Sequence, residues 1–113
     1  MTKLENTYET SLEIAYFVIG GKWKLRILWN IVHGHNRFSQ LKKVLPDITE
    51  KVLYTNLREL EDRGVLTKET IGKQKPQAVI YNIDKTYSKL ESMIELIYEF
   101  TKEYAEINEI KVK

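Results

Sequence analysis

The sequence predicts an α+β fold, mostly helical, with one two-stranded β-hairpin. Three observations predict it. Through residues 8–63, apolar side chains recur at three- and four-residue steps, the period of helices with one buried face. Between residues 65 and 83 the pattern changes to alternation rich in Val, Ile, Thr and Tyr, broken by Gly72-Lys73-Gln74-Lys75-Pro76. From residue 85 the helical period returns and holds almost to the end.

The first helix is expected over residues 8–19, with Tyr8, Leu12, Ala15, Tyr16 and Ile19 at helical spacing. Gly20-Gly21 ends it, because adjacent glycines weaken a helix and permit a sharp change of direction. A second helix follows over 22–32, with Trp23, Ile27, Leu28 and Ile31 inward, and Gly34 closes it. A short third helix covers 38–44, with Phe38, Leu41 and Leu45 on one face, and Pro46 prevents its continuation. Thr49 is the expected N-cap of a fourth helix that runs to about residue 63 and stops at Gly64. Strands over 65–71 and 78–83 form the hairpin, and Asp84 caps a last helix over 85–108.

A short helix, a tight turn, a second helix and then a hairpin is the element order of a winged helix–turn–helix. The predicted architecture is therefore a single domain over 1–113. Within it, 38–63 form the helix–turn–helix, 65–83 the wing, and 1–19 and 85–113 dimerisation helices. Composition agrees with a globular chain: 42% of residues are hydrophobic and 30% charged, which excludes a disordered or fibrous protein. No apolar run approaches the roughly 20 residues of a membrane span, and the first residues lack a signal-peptide stretch. A cytoplasmic location is the expectation. With no cysteine, disulfides and thiolate chemistry are excluded.

The segment with the most chemical content is the fourth helix. Val52, Leu53, Leu57 and Leu60 share one face, while Lys51, Tyr54, Thr55 and Arg58 stand at i, i+3, i+4 and i+7 on another. Long cations interleaved with hydroxyl groups are the side chains that reach phosphates and base edges in a major groove. An ordinary solvated face, with Arg58 paired to Asp62, is the competing account of the same stripe. The wing tip, Lys73-Gln74-Lys75, would touch phosphates or an adjacent minor groove. Charge distribution points the same way: residues 35–85 hold ten basic and seven acidic side chains, a net of +3, and residues 86–113 carry a net of −2. Glu50, near the stripe, works slightly against it.

The run Ile19-Gly20-Gly21-Lys22-Trp23-Lys24-Leu25-Arg26-Ile27-Leu28 resembles the signature of HxlR-type transcriptional regulators, a MarR-like winged-helix branch. Arg37-Phe38-Ser39-Gln40-Leu41, Lys51-Val52-Leu53, Leu57-Arg58-Glu59-Leu60-Glu61, Gly64-Val65-Leu66 and Pro76-Gln77-Ala78-Val79-Ile80-Tyr81 extend the resemblance in order over about residues 12–90. It implies a homodimeric regulator of transcription that binds double-stranded DNA. On that likeness Arg37, Ser39 and Gln40 contact the DNA backbone, and Lys51, Tyr54, Thr55 and Arg58 face the groove. Gly20, Gly21 and Trp23 are structural. Two departures stand out. Many members carry a Cys-Pro pair where this chain has Thr10 and Ser11, so thiol sensing there is excluded, and a family glycine is replaced by Tyr87.

The last helix is more apolar than one small core requires. Tyr87, Leu90, Ile94, Ile97, Thr101, Tyr104 and Asn108 form one stripe, and Met93, Leu96, Phe100 and Ile107 a second beside it. One stripe would cover the domain and the other a second subunit, although both could cover one core. A two-fold dimer would set two reading helices roughly 34 Å apart and select a palindromic operator. Tyr8, Tyr16, Phe17, Tyr98, Phe100 and Tyr104 are candidates to line an effector crevice, with no effector specified. No catalytic constellation stands out: Ser11, Ser39, Ser88 and Ser92 have no identifiable base, and no phosphate-cradling loop is present. His33 and His35 could ligate a metal, yet no further His or Cys completes a site. No cofactor, metal or enzymatic activity is therefore expected. The non-enzymatic alternative is a winged-helix module that binds protein instead of DNA, which would carry acidic or apolar residues where Lys51, Arg58, Lys73 and Lys75 stand.

Overall fold

The computed structural model describes residues 7–73 and 78–113. The elements follow the order α1 (Ser11–Ile19), α2 (Lys24–Val32), α3 (Phe38–Val44), α4 (Glu50–Asp62), β1 (Leu66–Ile71), β2 (Ala78–Ile83), a 3-10 turn (Lys85–Tyr87) and α5 (Ser88–Ile107). This is an α+β winged helix–turn–helix.

Local chemistry sets each boundary. Thr10 caps α1, its hydroxyl accepting from the Glu13 N–H at 3.3 Å, so the helix begins at Ser11 and not at residue 8. The Gly20-Gly21 turn occupies the start expected for α2. Gly21 has φ +98°, and a side chain at Gly20 would collide with the Tyr16 carbonyl and ring. Regular α2 therefore starts at Lys24. Thr49 caps α4 as expected, its hydroxyl accepting from the Val52 N–H at 3.1 Å. The last helix is broken near its start. Asp84 accepts from the Thr86 N–H at 2.8 Å, which tightens the chain into a 3-10 turn, and its last residue, Tyr87 (φ −112°, ψ 47°), is the N-cap of α5.

The core lies between α2, α3, α4, the base of the hairpin and one face of α5. Ile27 and Leu28 of α2, Leu41 of α3, and Leu53, Leu57 and Leu60 of α4 are all buried, with Ile48 plugging the turn between α3 and α4. Tyr81 and Ile83 close the core from β2, and Ile94 closes it from α5. The strands pair antiparallel, from Leu66 with Ile83 at the base to Ile71 with Ala78 near the tip. Only Leu66 of β1 is buried, so the hairpin projects beyond the core as a wing. Its root is fixed: the Tyr81 N–H donates to the Asn36 carbonyl at 2.8 Å, and Arg37 bridges to Ile80.

α1 and the outer side of α5 stay apart from this core. No α1 residue is buried, and only Val18 and Ile19 pack against the cluster. On α5, Ile94 is buried and Leu90, Met93 and Ile97 are half-buried, while Leu96, Phe100 and Ile107 stand exposed. The single subunit thus covers the middle of one stripe, at Leu90, Ile94 and Ile97, and leaves nearly all of the other open. Among the described residues, no helix is long and apolar enough to cross a membrane.

Candidate nucleic-acid interface

The site is built on α4, whose rotation about its axis is fixed by burial of Leu53, Leu57 and Leu60. Lys51, Tyr54, Thr55 and Arg58 consequently lie exposed on the other side. Tyr54 keeps 51% of its surface accessible, uncommon for a large ring beside a well-formed core. The Arg58 guanidinium is held along the helix: Nη1 donates to the Tyr54 hydroxyl at 3.4 Å, and Nε lies 3.9 Å from Asp62 Oδ2. Chiefly through the Tyr54 bond, these partners raise the Arg58 pKa and hold it protonated. Both contacts are long and solvated, so a phosphate or base edge can replace them at little cost. Glu50 sits in the first turn of α4, where a carboxylate complements the helix dipole.

Behind the stripe, α4 is locked to α2 by a contact that helical periodicity alone does not single out. Lys24, only 8% exposed, donates to Glu59 Oε1 at 2.8 Å and to Asn56 Oδ1 at 3.0 Å. Arg63 approaches Glu59 at 3.8 Å and lies over the Phe17 ring at 4.4 Å, tying α1 to the same point. The signal was in the sequence: Lys24 falls on the inward stripe with Ile27, Leu28 and Ile31, and a lysine there needs a partner.

The Lys24 hydrogen bond, aided by its charge and that of Arg63, holds the Glu59 carboxyl below the usual range against the opposing effect of burial. A lowered carboxyl contributes stability that is present above its unfolded value, near 4.3, and is lost as pH falls through the folded value. Glu59→Gln is expected to cost about 1–2 kcal/mol at neutral pH. In urea unfolding at neutral and acid pH, the gap between wild type and variant should close as pH drops below about 4. A gap unchanged by acid would show that the charge of Glu59 is not what matters.

Of the residues assigned to backbone contact, Arg37 and Ser39 are exposed at the start of α3. Gln40 is half-buried, and its Oε1 accepts from the Arg37 N–H at 3.2 Å. Its carbonyl therefore serves as a helix cap, and its amide nitrogen is the part that can still donate to a phosphate. Because Arg37 bridges to Ile80, the start of α3 and the root of the wing form one unit. Lys73 is exposed just past Gly72, beyond the last strand pair. Lys75 lies outside the described residues.

The six candidate effector aromatics do not converge. Tyr8, Tyr16 and Phe17 border a cavity of about 690 Å³ beside α1. Tyr98 stacks on Trp29 at 4.2 Å and borders a different cavity of about 430 Å³. Phe100 and Tyr104 meet at 6.0 Å on exposed α5. Trp23 is half-buried against the core, its ring flanked by Lys22 at 5.0 Å and Arg26 at 4.7 Å. Among the described residues, no group of three or more His, Asp or Glu side chains is arranged to hold a metal ion.

Comparison with known proteins identifies the family and the fold. Residues 18–109 match the family described as HxlR-like helix-turn-helix. The HTH-type transcriptional regulator YtcD of Bacillus subtilis is 40% identical over 90 residues, covering 80% of this chain and 71% of YtcD. YkvN of the same organism, another HTH-type transcriptional regulator, is 33% identical over 99 residues, covering 88% of this chain and 83% of its own. A solved structure of YtcD superposes with a TM-score of 0.76 at 35% identity over 86% of this chain and 98% of that one. The redox regulator HypR in its reduced form superposes at 0.80 and 29% identity, over 90% of this chain and all of HypR.

Proposed function

Because this chain belongs to the HxlR-like helix-turn-helix family of transcriptional regulators, and not to a family of enzymes, we propose that it is a cytoplasmic, homodimeric repressor or activator that reads a specific palindromic operator with α4. The observation that carries this is the exposed Lys51, Tyr54, Thr55 and Arg58 stripe, presented by a helix whose opposite face is locked into the core. In the proposed complex α4 enters the major groove, where Arg58 exchanges Tyr54 and Asp62 for a base edge and Lys51 pairs with a phosphate. Arg37, Ser39 and Gln40 hold the adjacent backbone, and Lys73 with Lys75 reaches the phosphates beside the wing.

The dimer is inferred from two uncovered surfaces. α1 is nine residues long and buries no side chain in its own subunit, and so short a helix is marginal without tertiary cover. Leu12 and Tyr16 on α1, with Leu96, Phe100 and Ile107 on α5, expose large apolar side chains. Contiguous apolar exposure of this kind marks an interface.

The test is fluorescence anisotropy of a labelled duplex from the intergenic region upstream of the protein's own gene, titrated at several salt concentrations. Tight binding that resists competitor DNA and weakens steeply with salt is expected. Arg58→Ala should cost about 1–3 kcal/mol, roughly ten- to a hundredfold in affinity, and relax preference at one position of each half-site. Lys51→Ala should weaken binding to all sequences alike and flatten the salt slope by about one. Weak binding to any duplex, indifferent to Arg58→Ala, would remove α4 as the reading helix and bring forward a protein-binding role for the same fold.

A further inference from the structure

His33 ends α2 with both ring nitrogens facing acceptors. Nδ1 lies 2.8 Å from the Trp29 carbonyl oxygen, and Nε2 lies 2.9 Å from Glu95 Oε1 on α5. A carbonyl only accepts, and so does a carboxylate. Both contacts are hydrogen bonds only if the ring donates from both nitrogens, which only imidazolium can do. In either neutral tautomer, one nitrogen lone pair points at an oxygen lone pair. His33 caps the C-terminal end of α2, where the helix dipole attracts positive charge. Its ring lies 3.8 Å from that of Trp29, and Tyr98 of α5 stacks on the same indole at 4.2 Å. Charged groups of the neighbouring elements, gathered around Ile31 and Val32, are Glu69 of β1, Asp84 and Lys85 at the hairpin exit and Glu91 of α5.

We propose that His33 is a proton-operated clamp between α2 and α5. As imidazolium it ties the end of α2, in the DNA-reading half of the molecule, to Glu95 on the long helix. As the neutral ring it releases one of its two bonds and loosens the seat of α5 around the Trp29–Tyr98 stack. The Glu95 contact supplies stability only while the ring donates from both nitrogens. Where two subunits pair through α5, the same proton adjusts the separation of their reading helices. That second step rests on the dimer proposed above, whereas the clamp itself does not.

The experiment is thermal unfolding of the DNA-free protein at about pH 5.5 and about pH 8, for wild type, Glu95→Gln and His33→Gln. Both side chains are well exposed, at 39% and 43%, so the variants should fold. The expected result is that wild type melts about 2–4 °C above either variant at the lower pH and level with them at the higher. His35, the one other imidazole in the sequence, is common to all three proteins and cancels. Ring ¹⁵N resonances should show both His33 nitrogens protonated at the lower pH. Variants that run parallel to wild type at both pH values, or a His33 ring still neutral at pH 5.5, would overturn the clamp. Operator affinity at the two pH values then tests the coupling to the dimer separately from the clamp.

Discussion

Leu57→Ala should lower the stability of the protein by about 2–5 kcal/mol while leaving every proposed DNA-contacting side chain in place. Leu57 is 1% exposed and lies on the inward face of α4 between Leu53 and Leu60, in the cluster shared with α2 and α3. Alanine is a better helix former than leucine only by a small margin, so the helix itself gains almost nothing. What is lost is the transfer of three carbons out of water, and a cavity opens that this tightly shared core cannot readily close. Domains of this size have only about 5–15 kcal/mol to lose, and at about 4 °C per kcal/mol the melting temperature should fall by roughly 8–20 °C. Leu57→Met, which conserves volume, should cost less than about 1.5 kcal/mol. Arg58→Ala, one residue along the same helix, should change stability by no more than about 0.5 kcal/mol. The pair separates what folds α4 from what α4 does, since one variant loses stability and the other loses only DNA binding. Urea unfolding with an unchanged m-value provides the measurement. A Leu57→Ala loss no larger than that of Arg58→Ala would mean that the buried face of α4 is misassigned.

Where local chemistry decided the structure, the sequence was a good guide. α3 and β2 have the expected limits, because Pro46 forbids one continuation and strict alternation defines the other. The Thr49 cap and the two faces of α4 follow from a single period in one short segment. Boundaries failed where two local signals competed. Thr10 captured the Glu13 N–H and shortened α1, and Asp84 captured the Thr86 N–H and turned the start of the last helix into a 3-10 turn. Long-range pairings were not legible at all. Lys24 meets Glu59 from 35 positions away, His33 meets Glu95 across the whole hairpin, and Arg37 bridges to Ile80. No period within one helix encodes which residue of another helix will lie opposite it. An inward-facing lysine announces that a partner must exist, without saying which.

Replacing Leu96 and Phe100 together with Glu should convert the protein to a monomer and reduce operator affinity by about 10²–10⁴-fold. Both side chains point away from the core, 63% and 65% exposed, one turn apart on α5. Introducing charge there buries nothing within the subunit, so the isolated domain should fold and melt nearly as before. In the proposed dimer the same charges would face one another across a two-fold axis, where each position meets its own copy or a close neighbour. Two carboxylates desolvated in that setting oppose association strongly. The loss on DNA follows without any change in α4, because linked half-site binding gains from effective concentration and a lone subunit does not. Sedimentation and anisotropy on the same samples distinguish the outcomes. A variant that stays dimeric would place the interface elsewhere, with α1 and its exposed Leu12 and Tyr16 the next surface to charge. A monomer that still binds the operator at full affinity would mean that one α4 suffices, and the palindromic two-fold reading would have to be given up.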